Sequence, residues 1–226
     1  MKKIIVCLFT LLLICGCSFK ESDSDKFKND YESLNGKESS YGVHRTVSID
    51  DNPFIFSNSD EIVKMIEEKK TFYVYFGDKA CPWCRSVIEK AISVSKKYGI
   101  NEIYYINIWD DEHNEILRDK YEIKDGVAVK TVDGDKNYSK LLEYFDTLLK
   151  DYTLTDSDGK VIKVGEKRIF APNFIYVEDG VAKRFTDGIS SNLKSPFDEL
   201  TEEVLNDEEK LFDDFFGADM ACDSKC

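Results

Sequence analysis

From residue 71 the chain reads Thr-Phe-Tyr-Val-Tyr-Phe, apolar almost throughout, and Ile103 to Trp109 repeats that character. Short runs rich in β-branched and aromatic residues predict two central strands, Thr71 to Phe76 and Ile103 to Trp109. The stretches beside them have helical spacing. Ile62, Met65, Ile66 and Lys69 share one face of a helix over Ser57 to Lys70, with serines to cap it and acids in its first turn. A second helix runs from the Cys81-Pro82-Trp83-Cys84 element to about Tyr98 and stops at Gly99. Val43, Val47 and Ile49 predict an earlier strand, Val43 to Ile49. Strand, helix, strand, helix, strand in that order implies parallel pairing through right-handed crossovers.

Further on, the pattern predicts helices over Glu112 to Tyr121 and Tyr138 to Lys150, among turn-rich stretches such as Asp133-Gly134-Asp135 and Asp156-Ser157-Asp158-Gly159. Two strands follow, Asn173 to Glu178 and Val181 to Phe185, joined by a turn at Asp179-Gly180. A last helix is expected from Ser195 to about Phe216, with Pro196 in its first turn. Near the front, Phe27, Tyr31 and Leu34 recur at i, i+4, i+7 between Ser24 and Gly36, giving a short amphipathic helix in a polar tether. The chain therefore divides into 1–16, a leader; 17–42, a tether; 43–190, one domain with a helical insertion at about 111–168; and 191–226, an acidic helix and a cysteine-bearing tail.

With 226 residues, 42% of them hydrophobic, the chain builds a real core in one domain with additions. Its formal charge of −13 excludes a nucleic-acid partner, which needs clustered Lys and Arg. It also excludes a basic surface for anionic lipid, so any membrane attachment must be covalent or inserted. Lys2-Lys3 followed by the apolar run Ile4 to Ile14 is too short to span a bilayer, which takes about 20 residues, and suits a signal-peptide core. The next residues, Ile14-Cys15-Gly16-Cys17, resemble the lipobox of bacterial lipoproteins, which implies lipid on Cys17 and an anchor on the extracytoplasmic face of the bacterial cell membrane. The alternative is an ordinary secretory signal with an incidental cysteine.

Export changes the cysteine arithmetic. Of seven cysteines, Cys7 and Cys15 leave with the leader and Cys17 carries lipid; Cys81/Cys84 and Cys222/Cys226 remain as two pairs. Cys81 sits where a buried strand gives way to a helix. There its sulfur can accept from unpaired helix N–H groups, chiefly that of Cys84, and it feels the positive end of the dipole. Both effects favour thiolate, the nucleophilic form. Pro82 needs no N–H at the first helical position, and Cys84 lies one turn on, in reach of a disulfide. The pair suits two-step exchange: Cys81 attacks a substrate disulfide and Cys84 resolves the mixed disulfide.

Together with Phe72-Tyr73-Val74-Tyr75-Phe76 and Ala171-Pro172-Asn173-Phe174-Ile175-Tyr176-Val177-Glu178-Asp179-Gly180, this element resembles the thioredoxin superfamily, from Val43 to about Ser190. The bacterial thioredoxin-like lipoproteins and bacteriocin-transport accessory proteins look nearest. The resemblance implies an α/β thioredoxin fold, a central mixed sheet flanked by helices, with a helical insertion before the cis-proline strand. It implies a cis Ala171-Pro172 peptide facing Cys81, and substrate chains bound as added strands beside Pro82, Trp83, Ala171 and Pro172. It implies thiol-disulfide oxidoreductase activity on protein thiols and disulfides, a membrane redox partner, and no cofactor or metal. One departure is marked: Tyr75 stands where thioredoxins carry a buried aspartate and Tyr105 near their partner lysine, which leaves the deprotonation of Cys84 to water or another group.

Three other readings stand beside this one. The Cys81/Cys84 pair could be half of a zinc site completed by Cys222 and Cys226, or a static disulfide in a non-catalytic binding module built on the same fold. The tail pair is either an incidental disulfide or a mobile second redox centre. His44 and His113, the only histidines, belong to no catalytic constellation in the sequence.

Overall fold

A computed structural model describes residues 21–112 and 114–218. The leader, Cys17, His113, Cys222 and Cys226 lie outside the described residues. The chain opens with helix α1 (Asp23–Glu32), a two-residue hairpin β1 (Glu38–Ser39) and β2 (Gly42–Val43), then β3 (Phe54–Phe56) and α2 (Ser59–Glu67). Strand β4 (Phe72–Gly77), helix α3 (Pro82–Lys97) and strand β5 (Ile103–Asn107) follow. Next come β6 (Lys120–Lys124), β7 (Val127–Val132), α4 (Tyr138–Phe145), β8 (Lys150–Thr155) and β9 (Val161–Arg168). Strands β10 (Asn173–Glu178) and β11 (Val181–Thr186) and helix α5 (Glu202–Phe216) complete it.

Five strands form one mixed sheet in the order β11-β10-β4-β5-β3. Strands β3, β5 and β4 are parallel, while β10 runs antiparallel to both β4 and β11. Order and directions are consistent with a thioredoxin-like fold. Because side chains alternate across a strand, β4 feeds two cores. Val74 and Phe76 pack with α2 and α4 on one face; Tyr75 packs with α3 and α5 on the other.

Helix α1 belongs to that second core, and here the expected tether gives way to packing. Phe27 and Tyr31 are fully buried. The Phe27 ring stacks on Phe54 at 4.2 Å and on Tyr31 at 4.5 Å, and meets Tyr105 edge-on at 5.0 Å. Ser22, not Ser24, caps the helix, accepting from the N–H of Asp25. The predicted strand Val43 to Ile49 is also replaced. His44 still pairs by backbone with Gly36 and Lys37, but from Val47 on the backbone is satisfied by side chains: Asn35 pairs with both the N–H and C=O of Val47, Glu89 accepts from Ser48 N–H, and Glu32 from Ile49 N–H. Those bonds leave Val47 and Ile49 pointing into the core without a ladder, and the edge strand falls instead at β3.

The insertion is not the helical one expected. It holds one helix, α4, and two antiparallel hairpins, β6–β7 and β8–β9. Over 112–121 the Asp110 carboxylate accepts from the N–H groups of Glu112 and Asn114, a local turn that competes with helix. Glu115 then meets Arg118 and Arg168 in a buried ion cluster. Asp125 and Gly126, with φ of 51° and 77°, close the first hairpin through a tight turn of primed type. The last helix also starts later than Ser195. The Asp198 carboxylate accepts from Ser195 N–H in a turn of its own, and Thr201 caps α5 by accepting from Val204 N–H.

Helix α5 packs along α3 in the same direction, tied by Lys90–Glu209 at 3.0 Å and Lys97–Asp213 at 2.8 Å. Glu208 on its inner face is fully buried, and its carboxylate oxygens have no hydrogen-bond partner among the described residues. Burial pushes its pKa up to about 8, against the pull of Lys90 and Arg45.

Two outcomes follow for stability. Phe27→Ala should cost about 3–5 kcal/mol in a denaturant titration; a cost of a few tenths would return α1 to a tether. For Glu208 the folded pKa lies above the unfolded value, so the folded chain holds a proton that the unfolded chain has lost. Its contribution is present at low pH and is lost as pH rises from about 5 to 8. The Tm should fall across that window, and Glu208→Gln should remove part of the fall; parallel curves for the two proteins would contradict this.

Candidate active site

Helix α3 begins where β4 ends, and the junction is built by its own residues. Gly77 has no room for a side chain, since a Cβ there would come within 2.2 Å of the Tyr75 ring folded over it. Asp78 is buried and its carboxylate accepts from Ala80 N–H at 2.6 Å, which turns the chain toward the helix. Cys81 is the N-cap, its Sγ accepting from the N–H of Cys84 at 3.3 Å, and Pro82 takes the first turn. The sulfur therefore fills the role that an oxygen usually fills at a helix start.

Both cysteines are free thiols, yet their surroundings differ. Cys81 keeps 7% of its surface and Cys84 none. The Cys81 thiol is held below the ordinary range, chiefly by a hydrogen bond from the Cys84 side chain, with help from the N–H groups of Cys84 and Trp83; burial and the nearby Asp78 charge oppose this. Burial pushes the Cys84 thiol well up, and its hydrogen bond to Cys81 adds to the rise. At neutral pH the outer sulfur is the better nucleophile and the inner one stays protonated.

The peptide Ala171-Pro172 is cis, and the Ala171 carbonyl lies 3.5 Å from Cys81 Sγ, within range of a thiol hydrogen bond. Two clefts meet here, sharing Trp83 and Ala171. One, of about 770 Å³, exposes Cys81 and Pro82 between Tyr41, His44, Trp109 and Phe197. The other, of about 230 Å³, runs past Pro172 toward Phe170 and Phe185. The sequence-predicted group Cys81, Cys84, Pro82, Trp83, Ala171 and Pro172 is thus assembled in one place. A cleft of about 820 Å³ at the opposite end of the sheet, near Glu61, Lys64 and Tyr104, contains no cysteine or histidine.

Arg85 and Tyr31 were invisible as site residues in the sequence, whereas Tyr75 stood out there in place of a buried aspartate. Arg85, next to Cys84, is 1% exposed. Its guanidinium donates to the carbonyls of Tyr31, Arg45 and Lys79 and to Asn35 Oδ1, at 2.6–2.9 Å. It thereby fastens the N-terminal segment to the cysteine helix. Tyr75 hydrogen-bonds Cys84, and its hydroxyl lies 2.9 Å from that of Tyr31. A helical i, i+4 pair, Phe27 and Tyr31, was the one signal that the front of the chain packs on anything. His44, buried at 8% exposure, is part of the cleft wall.

Among the described residues no group of three or more His, Cys, Asp or Glu side chains is placed to hold a metal, and a zinc site would have to draw on Cys222 and Cys226. Both lie outside the described residues.

No family model and no curated protein matches the chain. Among solved structures it is similar to thioredoxin O2 from Arabidopsis thaliana in its oxidized state, at 14% identity over 63% of this chain and 89% of that one, with a TM-score of 0.33. A likeness of that size assigns neither activity nor substrate.

The hydrogen bond from Cys84 leads the forces on Cys81, which gives a graded outcome. In Cys84→Ser a hydroxyl still donates to Cys81, and its alkylation midpoint should stay below the ordinary thiol value of about 8.5. In Cys84→Ala the donor is gone and the midpoint should rise. Equal midpoints in the two variants, measured by the pH dependence of iodoacetamide labelling, would remove that bond from the account.

Proposed function

We propose that the chain is a thiol-disulfide oxidoreductase that exchanges disulfides with protein substrates through Cys81 and Cys84. The observation that carries the reading is the asymmetry of the pair: a cysteine at a helix N-terminus that keeps 7% of its surface and lines a cleft, above a fully buried one a turn further in. A cysteine pair serving only as a brace has no need of a depressed outer thiol at the wall of a cleft.

In the reducing direction Cys81 thiolate attacks one sulfur of a substrate disulfide, the substrate S–S bond breaks, and one substrate sulfur leaves as thiolate. Cys84 then loses its proton and attacks Cys81. The mixed disulfide breaks, Cys81–Cys84 forms, and the second substrate sulfur leaves. Two electrons pass from the pair to the substrate, and two protons follow to its thiols. The reverse sequence oxidises a dithiol. An extended substrate segment beside Ala171 and Pro172 would present its disulfide to Cys81, with Trp83 dividing the two clefts that receive its flanking residues.

The compartment is part of the same proposal. Lys2-Lys3, the apolar run Ile4 to Ile14, and Cys17 support export, lipid attachment and an extracytoplasmic position on a bacterial cell membrane. No helix among the described residues is long and apolar enough to cross a membrane. A membrane partner would renew the pair, with Cys222/Cys226 as a second cysteine pair able to exchange with it.

Expression of Cys84→Ser in a bacterial host should accumulate mixed disulfides between Cys81 and exported proteins, resolved as reducible high-mass bands, while Cys81→Ser should give none. The reverse pattern would exchange the roles, and no bands from either variant would favour a static disulfide in a binding module. Separately, Cys17→Ala should move the protein from the membrane fraction to the soluble extracytoplasmic fraction. Membrane retention without Cys17 would end the lipid-anchor proposal.

A further inference from the structure

Closing the Cys81–Cys84 disulfide requires the buried inner thiol to become a thiolate. Burial works against this, and so does the neighbouring sulfur of Cys81. Opposing them are the Tyr75 hydroxyl and the backbone N–H of Asp78. The other charged or titratable groups acting on this point are the Asp78 carboxylate at the end of β4, Arg85 on α3, Tyr105 on β5 and Tyr31 on α1. Tyr31, Tyr75 and Cys84 are all fully buried in one cluster, where the Tyr75 hydroxyl acts on the inner sulfur by hydrogen bonding and the Tyr31 hydroxyl lies 2.9 Å from that of Tyr75.

We propose that Tyr75 and Tyr31 form a two-hydroxyl chain that donates to the Cys84 sulfur, so that helix α1, in front of the sheet, is a positioning part of the redox centre. The polarity follows from proton counting. Each phenol has one O–H to give. When Tyr75 donates its O–H in a hydrogen bond to the Cys84 thiolate, its oxygen is left to accept, and the Tyr31 hydroxyl 2.9 Å away becomes the donor. Hydrogen bonds in such a chain strengthen one another where water is excluded.

Neither tyrosine acts as a base. Both phenols are pushed far above their ordinary range, burial being the leading cause, so both stay protonated at any working pH. They hold the inner sulfur as it gains negative charge; they do not take its proton. In the resolving step Cys84 S–H gives its proton to solvent or to the departing substrate thiolate, the Cys84–Cys81 bond forms and the Cys81–substrate bond breaks. In the reverse step the same hydroxyls stabilise Cys84 as the leaving group.

The outer end of the chain is itself fixed. The Tyr31 ring stacks on Phe27, and the Tyr31 carbonyl accepts from Arg85 Nη1 at 2.9 Å. Arg85 also grips the Arg45 carbonyl and Asn35 Oδ1, so the segment carrying Tyr31 is bolted to the helix that carries both cysteines. A helix expected to be a spacer therefore supplies a hydroxyl two bonds from the inner sulfur.

This inference rests on the redox reading, and the experiment separates the two. Reduced protein is mixed with 5,5′-dithiobis(2-nitrobenzoate) in a stopped-flow instrument. The first release of thionitrobenzoate reports attack by Cys81, and the second reports resolution by Cys84. In Tyr75→Phe the pH midpoint of the second phase should rise by about one unit. Because a more basic thiolate is also more nucleophilic, the second phase at neutral pH should slow by only about threefold. Tyr31→Phe should shift the midpoint the same way by a smaller amount, and the double variant should shift it no further than Tyr75→Phe alone, as groups in series do. The first phase should keep its profile throughout.

Tyr105→Phe, which removes a hydroxyl from the same buried cluster, should leave both phases unchanged. Folding is checked by far-UV circular dichroism. If Tyr31→Phe does not fold, the second phase of Tyr75→Phe decides whether a hydroxyl at Cys84 matters. A second phase in folded Tyr31→Phe that overlays the wild type would overturn the role of α1. An equal shift in Tyr105→Phe would reduce the effect to packing. Absence of a second phase in the wild-type protein would overturn the redox reading instead.

Discussion

The N–H of Cys84 points at the sulfur of Cys81 because α3 starts at that residue, and much of the molecule serves that one contact. A helix start leaves its first N–H groups without partners. Here the partner is a sulfur rather than an oxygen, 3.3 Å away. Moving the helix start by one residue would take Cys81 out of the cap position and turn Cys84 by about 100° around the helix axis. The start is held from both sides: Gly77 and Asp78 turn the chain into it, and Arg85 on the first turn is locked by four neighbours that come from outside the helix.

Arg85 also explains how a buried cation is tolerated. Among the described residues no carboxylate forms an ion pair with it, although the Glu89 charge one turn along α3 acts in its favour. Three backbone carbonyls and an amide oxygen take its N–H groups instead, which satisfies the guanidinium while placing no acid beside the cysteines. Asp78 is the acid that does come close, and its effect on Cys81 is unfavourable. The site therefore lowers the outer thiol by hydrogen bonding rather than by a nearby positive charge. The insertion contributes at the other side of the cleft. Arg118 and Arg168 share Glu115 and donate to the carbonyls of Ile169 and Asp119, steadying the strand that leads into Ala171-Pro172.

How much of this was legible in the sequence depended on whether local residues alone set the structure. The Cys-Pro-Trp-Cys element, the central strands and the β10–β11 pair were legible because their signals are local: a proline after the cap, β-branched and aromatic runs, and a turn at Asp179-Gly180 with φ of 50° and 76°. The Asp125-Gly126 turn carried the same signal and would have revealed the β6–β7 hairpin in a stretch that reads as turn-rich. What stayed hidden depends on long-range partners. Nothing near Val47 announces that Asn35 will satisfy its backbone, and nothing near Tyr31 announces Tyr75, forty-four positions on. Segment 195–200 has a serine and a proline like a helix start, yet an aspartate three residues on closed a turn before the helix could begin.

The central claim is that Cys81 and Cys84 cycle between dithiol and disulfide. A redox titration in dithiothreitol or glutathione buffers, followed by the fluorescence of Trp83 and Trp109 and by thiol labelling, tests it most directly. A working exchange centre predicts one reversible two-electron transition, with a midpoint between about −270 and −120 mV. A pair that stays oxidised at potentials below about −300 mV, where structural disulfides persist, would contradict the account and leave the fold as a scaffold with a fixed bridge.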